Sequence, residues 1–245
     1  MSADPADQIR LLDLQAEDTS MDQLAHRRRT LPELAQLDRM TGEQAGAADQ
    51  VVRVETEVGD LAREQRKLEA DVDQVRERSR RDQQRMQVST APKEAESLQR
   101  EIGSLGRRQG DLEDHLLELM ERREELEAEL ATDRASLARI VAAQDEAVTR
   151  RDAAFAQIDA ELTEHQARRA AIAGQIPADL LGRYERSRAA GGGVGAARLY
   201  RRRCEGCHLE LSGGDLEELR AAPADEIVRC AECGRILVRT PESGL

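Results

Sequence analysis

Tryptophan is absent, and the 245 residues hold one Phe (Phe155) and two Tyr (Tyr184 and Tyr200). Aromatic side chains supply much of the buried area of a globular interior, so this scarcity excludes a large conventional core. Long apolar runs are missing too. Nothing approaches the roughly 18 consecutive apolar residues of a membrane span. The opening Met1-Ser2-Ala3-Asp4-Pro5 has no basic segment and no apolar run behind it. The expectation is a cytoplasmic chain with no membrane contact. Cysteine occurs four times only. Cytoplasmic thiols stay reduced, so these four point away from disulfides. No Ser/His/Asp set stands out. The cluster Gly191-Gly192-Gly193-Val194-Gly195 lacks the Lys and Ser/Thr that complete a phosphate loop, and it reads as a turn into a strand. These gaps predict no catalytic residue and no small-molecule substrate.

Charge, by contrast, is abundant. Charged residues make up 35% of the chain and the formal net charge is -12, so the chain as a whole is not a basic nucleic-acid binder. The excess is confined. From residue 177 onward 11 Arg balance 11 acidic residues, and the first 176 carry 26 basic against 38 acidic side chains. Such a composition suits long exposed helices.

Periodicity identifies them. From Leu37, alternating steps of three and four give Leu37, Met40, Gln44, Ala47, Val51, Val54, Val58, Leu61, Gln65, Leu68, Val72, Val75, Ser79, Asp82 and Met86, and eleven of these fifteen are apolar. A 3.5-residue repeat of this length implies a left-handed coiled coil. Val88-Ser89-Thr90-Ala91-Pro92 interrupts it. A second repeat then runs through Leu98, Ile102, Leu105, Gln109, Leu112, Leu116, Leu119, Arg123, Leu126 and Leu130, and on to Leu137, Ile140, Ala147, Ala154, Ile158 and Ile172. Its later seam is weaker, with Gln144, Arg151, Glu161, His165 and Arg168.

Two such segments joined by a few residues fold back as an antiparallel hairpin. A first helix over 8–29, with Ile9, Leu12, Ala16 and Leu24 as its apolar stripe, ends in His26 and three arginines that suit a helix C-terminus. Thr30 and Glu33 have the spacing of a capping box, with Pro32 in the first turn of the next helix. Residues 8–88 and 92–172 then make arms of equal length, about 120 Å each at 1.5 Å per residue. Their equality favours residues 8–29 continuing along the same partner over folding back on the hairpin base. The seam arginines Arg123, Arg151 and Arg168 leave open a contact with another subunit.

Gly174-Gln175-Ile176-Pro177 ends the long arm, and a short helix follows from about Ala178 to Arg188, with Leu180, Leu181 and Tyr184 on its apolar side. Beyond it lie Cys204-Glu205-Gly206-Cys207 and Cys230-Ala231-Glu232-Cys233, separated by 22 residues. Each Cys-x-x-Cys turn aims two sulfurs at one point, and two such turns supply the four ligands of a closed tetrahedral zinc site. His208 adjoins the set, but four sulfurs already complete it. The expected ribbon has a strand over Ala197–Arg203 and a turn at Ser212-Gly213-Gly214. A short helix capped by Asp215 would follow, then strands around Ile227–Arg229 and Ile236–Val238. The fold class predicted is mainly α. A long antiparallel coiled-coil hairpin (1–176, kinked near 30–33 and turning near 87–92) precedes a small C-terminal β zinc ribbon with a short leading helix (177–245).

One basic cluster accompanies an aromatic: Arg198, Tyr200, Arg201, Arg202 and Arg203. On a strand, Arg198, Tyr200 and Arg202 would share a face, where stacking and phosphate contacts suit single-stranded RNA or DNA. A solvated or ion-paired strand is the competing reading.

The layout resembles a bacterial family of C4-type zinc-ribbon proteins with an N-terminal coiled-coil hairpin. The resemblance rests on Leu11-Leu12-Asp13-Leu14-Gln15, Leu31-Pro32-Glu33, Leu112-Glu113-Asp114, Ile176-Pro177-Ala178-Asp179-Leu180-Leu181 with Tyr184-Glu185, and Gly234-Arg235-Ile236-Leu237 after the last Cys-x-x-Cys. It implies one structural zinc ion and no catalytic activity. Some members of that family act as chaperones or adaptors for an alternative sigma factor or for flagellar and type III secretion components, and some are linked to RNA. Only Lys67 and Lys93 are lysine among 37 basic residues, which hints at a high-GC genome such as an actinobacterium. Such organisms generally lack those export systems, so the partners are left open. The leading expectation is a non-enzymatic zinc-binding scaffold, adaptor or chaperone-like protein that engages a protein through the hairpin and a partner or nucleic acid through the ribbon. The alternative is an RNA- or DNA-binding protein using residues 198–203.

Overall fold

The computed structural model describes residues 2–245. Three helices dominate: α1 (Pro5–Arg29), α2 (Pro32–Val88) and α3 (Pro92–Ala173). Each opens on proline, which is harmless there because a first-turn N–H has no intrahelical acceptor. Asp4 caps α1 by accepting the Ala6 N–H at 2.8 Å. Thr30 differs from its expected role. Its N–H and its hydroxyl both return to the His26 carbonyl at 3.0 Å, so it closes α1 rather than opening α2. The last carbonyls of α1 need donors, whereas Pro32 has no N–H to offer a cap.

The chain divides into two compact units, Ala35–Val148 and the remainder, which joins the residues up to Leu34 with Thr149–Leu245. In Ala35–Val148, α2 and α3 pair antiparallel. Val51 and Val54 pack on Leu126 and Leu130. All fifteen positions of the first predicted seam are buried or half-buried, which confirms the heptad. Ion pairs flank the seam: Arg134–Glu55 at 2.7 Å, Arg76–Glu113 at 2.6 Å and Arg78–Glu101 at 2.7 Å. Within the seam the Arg123 guanidinium donates to the Gln65 side chain. A polar pair of this kind holds register at some cost in stability. Arg151 likewise bonds Asp152, so both of these seam arginines are occupied within the chain.

In the other unit α1 runs antiparallel to the last part of α3. Leu24 and Leu31 pack on Ile158, Arg28 pairs with Asp159 and lies 4.6 Å over the Phe155 ring, and Glu17 bonds His165 at 2.6 Å and Arg168 at 3.2 Å. Thus α1 continues along α3. Its buried face matches the expected one only in part: Leu24 is buried and Leu12 half-buried. Ile9 is 44% exposed and Ala16 is exposed, while Leu11 and Leu14 are fully buried together with Gln8, Gln15 and Asp18. The reason is a second partner for α1.

That partner is the C-terminal region: α4 (Ala178–Ala190), β1 (Ala196–Tyr200), β2 (Arg203–Cys204), α5 (Gly213–Ala221), β3 (Val228–Arg229) and β4 (Ile236–Val238). The strands form one sheet in the order β2-β1-β4-β3. β1 and β4 are parallel and the other pairs antiparallel. Strand alternation gives the sheet two faces. Ala196, Ile236 and Val238 join Leu11, Leu14, Ile176, Leu180 and Tyr184 in one core. Ala197, Leu199 and Leu237 join Leu216, Leu219 and the cysteines in another. Helix α5 starts three residues earlier than predicted. Ser212 is its cap, and Asp215 completes a capping box from inside the helix.

Candidate metal centre

The first knuckle hangs on the β1–β2 hairpin and the second between β3 and β4. Cys204 and Cys230 are buried, Cys207 and Cys233 half-buried. The four sulfurs lie within 4.8 Å of one another, with Cys204–Cys233 and Cys207–Cys230 both at 3.9 Å. A tetrahedral ion with metal–sulfur bonds of about 2.3 Å has sulfur–sulfur edges of about 3.8 Å. The set therefore fits one zinc ion and is far too open for disulfides. The residue after each second cysteine takes a left-handed conformation, Gly234 at φ 70° and His208 at φ 64°. His208 thus serves the turn and is exposed, outside the ligand set.

Backbone donors complete the site. The N–H groups of Cys207 and Gly206 point to the Cys204 sulfur, and those of Cys233 and Glu232 to Cys230. Burial nevertheless pushes the Cys204 thiol up to about 12 and raises Cys230. Burial also opposes ionisation of Cys233, but the Arg235 N–H and guanidinium bring that thiol down to about 7. A divalent cation takes all its sulfur ligands as thiolates, so binding here would release the protons that burial retains on Cys204 and Cys230. Gly206 must be glycine, since a Cβ would stand 2.8 Å from Arg235 Cδ and 2.9 Å from Ala197 Cβ. Arg235 donates to the carbonyls of Gly206, Val194 and Gly191 at 2.7–3.1 Å, tying the first knuckle to the end of α4.

A buried polar node escaped the sequence reading. Asp18, fully buried, accepts from Arg169 Nε and from the Tyr184 hydroxyl, both at 2.6 Å, with Arg188 Nε at 3.4 Å. Gln15 Oε1 accepts the Gly195 N–H at 2.7 Å while its amide donates to the Gly193 carbonyl at 3.0 Å. The glycine-rich loop therefore binds a side chain of α1, and Gly195 leaves no room for a Cβ beside Tyr184. Burial and the bond to Asp18 raise the Tyr184 phenol well above its usual range. The available signal was the single helical face shared by Leu11, Leu14, Gln15 and Asp18.

The basic cluster is not one strand face. The chain turns after Tyr200, with Arg201 and Arg202 at φ 46° and 67°, so Arg202 does not line up with Arg198 and Tyr200. Arg198 is paired with Glu205 at 3.6 Å and Glu242 at 3.1 Å, and Arg203 donates to the His208 carbonyl at 2.5 Å. Arg201 lies 5.2 Å over the Tyr200 ring.

Two family models match the chain. A family model described as a CT398-like coiled coil hairpin domain matches residues 14–192, and one described as a C4-type zinc ribbon domain matches residues 203–237. An uncharacterized protein of Mycobacterium tuberculosis H37Rv is 38% identical over 247 residues, covering 98% of each chain. A solved structure from Mycobacterium smegmatis shares 36% identity with a TM-score of 0.88, covering 98% of this chain and all of that one. The structure of CT398 from Chlamydia trachomatis is similar in fold, with a TM-score of 0.69 at 19% identity over 96% of this chain and 98% of that one. No helix among the described residues is long and apolar enough to cross a membrane.

Proposed function

The chain belongs to the CT398-like coiled-coil hairpin family with a C4-type zinc ribbon, and from that premise we propose that it is a non-enzymatic cytoplasmic adaptor. The hairpin engages a protein partner, and the zinc ribbon is a structural module. The carrying observation is the closed four-sulfur site. All four tetrahedral positions are taken by protein, so the ion has no place for substrate or activated water. The matched families are structural domains rather than enzyme families. The test is in-cell photo-crosslinking of the full chain, with the reactive group placed at exposed hairpin positions and then at ribbon positions. A discrete protein captured from the hairpin positions supports the adaptor reading. Capture of nucleic acid alone from every position refutes it.

A second reading has one specific observation behind it. Arg201 and Arg202 occupy a two-residue hairpin turn where Asn-Gly is preferred. Left-handed backbone costs an L-residue roughly 1–2 kcal/mol. The tail offsets this, as Arg201 N–H bonds the Glu242 carbonyl at 2.9 Å and Arg202 N–H that of Ser243 at 2.8 Å. Two arginines held outward at such cost suit phosphate contact. Phosphate binding predicts single-stranded nucleic-acid affinity that falls steeply with salt and drops in Arg201→Ala/Arg202→Ala. Unchanged affinity in that variant removes this reading.

A further inference from the structure

The outward side of α3 carries a charge pattern that the hairpin itself does not use. At seven-residue spacing the helix reads Lys93, Arg100, Arg107, Asp114, Glu121: three cations, then two anions. Seven residues are about two helical turns, so these side chains form one straight row with a step of about 10.5 Å. All five are exposed. Among the described residues none of them has an ion pair or hydrogen bond, whereas Arg76, Arg78 and Arg134 nearer the seam are all paired across the helices.

Two further features sit on the same side. Gly103 and Gly110 flank the row, and a Cβ on either would meet nothing within 4 Å. Interior glycines weaken a helix relative to alanine, and packing within the chain gives these no reason to be there. Leu117, one turn along, is 58% exposed, more than any other leucine among the described residues.

We propose that this face pairs with a second copy of the chain, antiparallel, about a twofold axis between Gly110 and Asp111. In that arrangement Arg100 meets Glu121 of the second copy and Arg107 meets Asp114. Leu117 lies over Gly103, and Glu118 meets Ser104. Every contact then occurs twice, and the patch is self-complementary, as a closed dimer requires. The glycines at the centre let the two helix backbones approach closely. The change of sign along the row, centred on the glycines, is what selects a second copy over a generic polyanion.

The experiment is sedimentation of the full-length protein, with helix content and zinc content as folding controls. The wild type is expected to dimerise in about 50 mM salt and to weaken about tenfold or more in about 500 mM salt, because exposed charges are screened. Arg100→Glu/Arg107→Glu leaves Lys93 followed by four anions, and Asp114→Arg/Glu121→Arg makes the row wholly basic. Each variant alone is expected to be monomeric. Their equimolar mixture is expected to form a heterodimer that restores all four pairs. A monomeric wild type at high concentration overturns the proposal, as do variants that dimerise unaltered or a mixture that stays monomeric. If the acidic variant instead sediments like wild type but loses binding to a DNA duplex, the face belongs to nucleic acid and the self-pairing is wrong.

Discussion

Replacing Asp18 by Ala would remove the carboxylate around which α1, α3 and α4 are joined. Its two oxygens take the Tyr184 hydroxyl and the Arg169 guanidinium at 2.6 Å, with Arg188 at 3.4 Å. Breaking a buried ion pair typically costs 3–5 kcal/mol, because the remaining charge is left uncompensated. Here the low end applies. Arg169 and Arg188 are 23% and 25% exposed and retain Glu185 and Asp22, so each can be partly rescued by water and its second partner. A loss of about 3 kcal/mol corresponds to a fall in Tm of about 6–12 °C for a domain of this size. Tyr184→Phe alone should cost about 1.5–2 kcal/mol, the value of a hydrogen bond to a charged group. Because Asp18→Ala already strips Tyr184 of that acceptor, the double variant should be more stable than the sum by about 1 kcal/mol or more. With no tryptophan in the chain, tyrosine fluorescence during thermal unfolding reports on this unit, and zinc release provides a second readout. A Tm change under about 2 °C, or additivity within about 0.5 kcal/mol, would refute the node as described.

Elemental analysis should find one zinc ion per chain, and Cys204→Ser should abolish it; a structural site contributes about 10–16 kcal/mol of apparent binding energy, so chelation should unfold the ribbon while most helical signal persists. The pH profile should fall at both ends. The bond from His165, opposed by burial and aided by Arg168, holds Glu17 below its usual 4.5, so its contribution is present above about pH 4.5 and lost as pH falls through the depressed value. Burial and the Asp18 bond raise Tyr184 above its usual 10.0, so that contribution is intact below about pH 10 and lost as pH rises and the unfolded phenol ionises. Denaturant titrations across pH should show both limbs, with the alkaline one flattened in Tyr184→Phe. Gly195→Ala places a Cβ 2.7 Å from the Tyr184 carbonyl and 2.9 Å from its ring, and should cost about 1–3 kcal/mol in the same assay.

The heptads and the zinc ligands were legible because each is a local spacing. A seam repeats every seven residues and a knuckle spans four, so neither depends on distant parts of the chain. The face of α1 was legible only in part, for the opposite reason. Its stripe has to satisfy α3 on one side and the sheet on another, and part of what it buries is polar. Gln8, Gln15 and Asp18 read as surface, although their partners lie far away, at Ala224, Gly195 and Arg169. Ser212 and Asp215 are both good caps, and the helix uses both, Ser212 as its cap and Asp215 as the third helical residue that bonds back to it. The turn at Arg201-Arg202 defied propensity outright, since the carbonyls of Glu242 and Ser243 that hold it come from the last residues of the chain.

The small sheet explains why α1 is needed. β2 and β3 are two residues each and β4 is three, so few ladder bonds hold the strands together. One face is secured by α5 and the four sulfurs. The other would expose Ala196, Ile236 and Val238, and there α1 supplies Leu11 and Leu14 as cover. Gln15 goes further, since its amide binds the Gly195 N–H and the Gly193 carbonyl as a neighbouring backbone would. The residues just before α1 extend the same contact, with Ala3 N–H on the Asp225 carbonyl at 2.7 Å. Metal and helix thus stabilise opposite faces of one sheet, although the helix lies some 180 residues earlier in the sequence than the loop it binds. Closing so long a loop costs only slowly more than closing a short one. A sheet of this size can therefore draw half of its core from the other end of the chain.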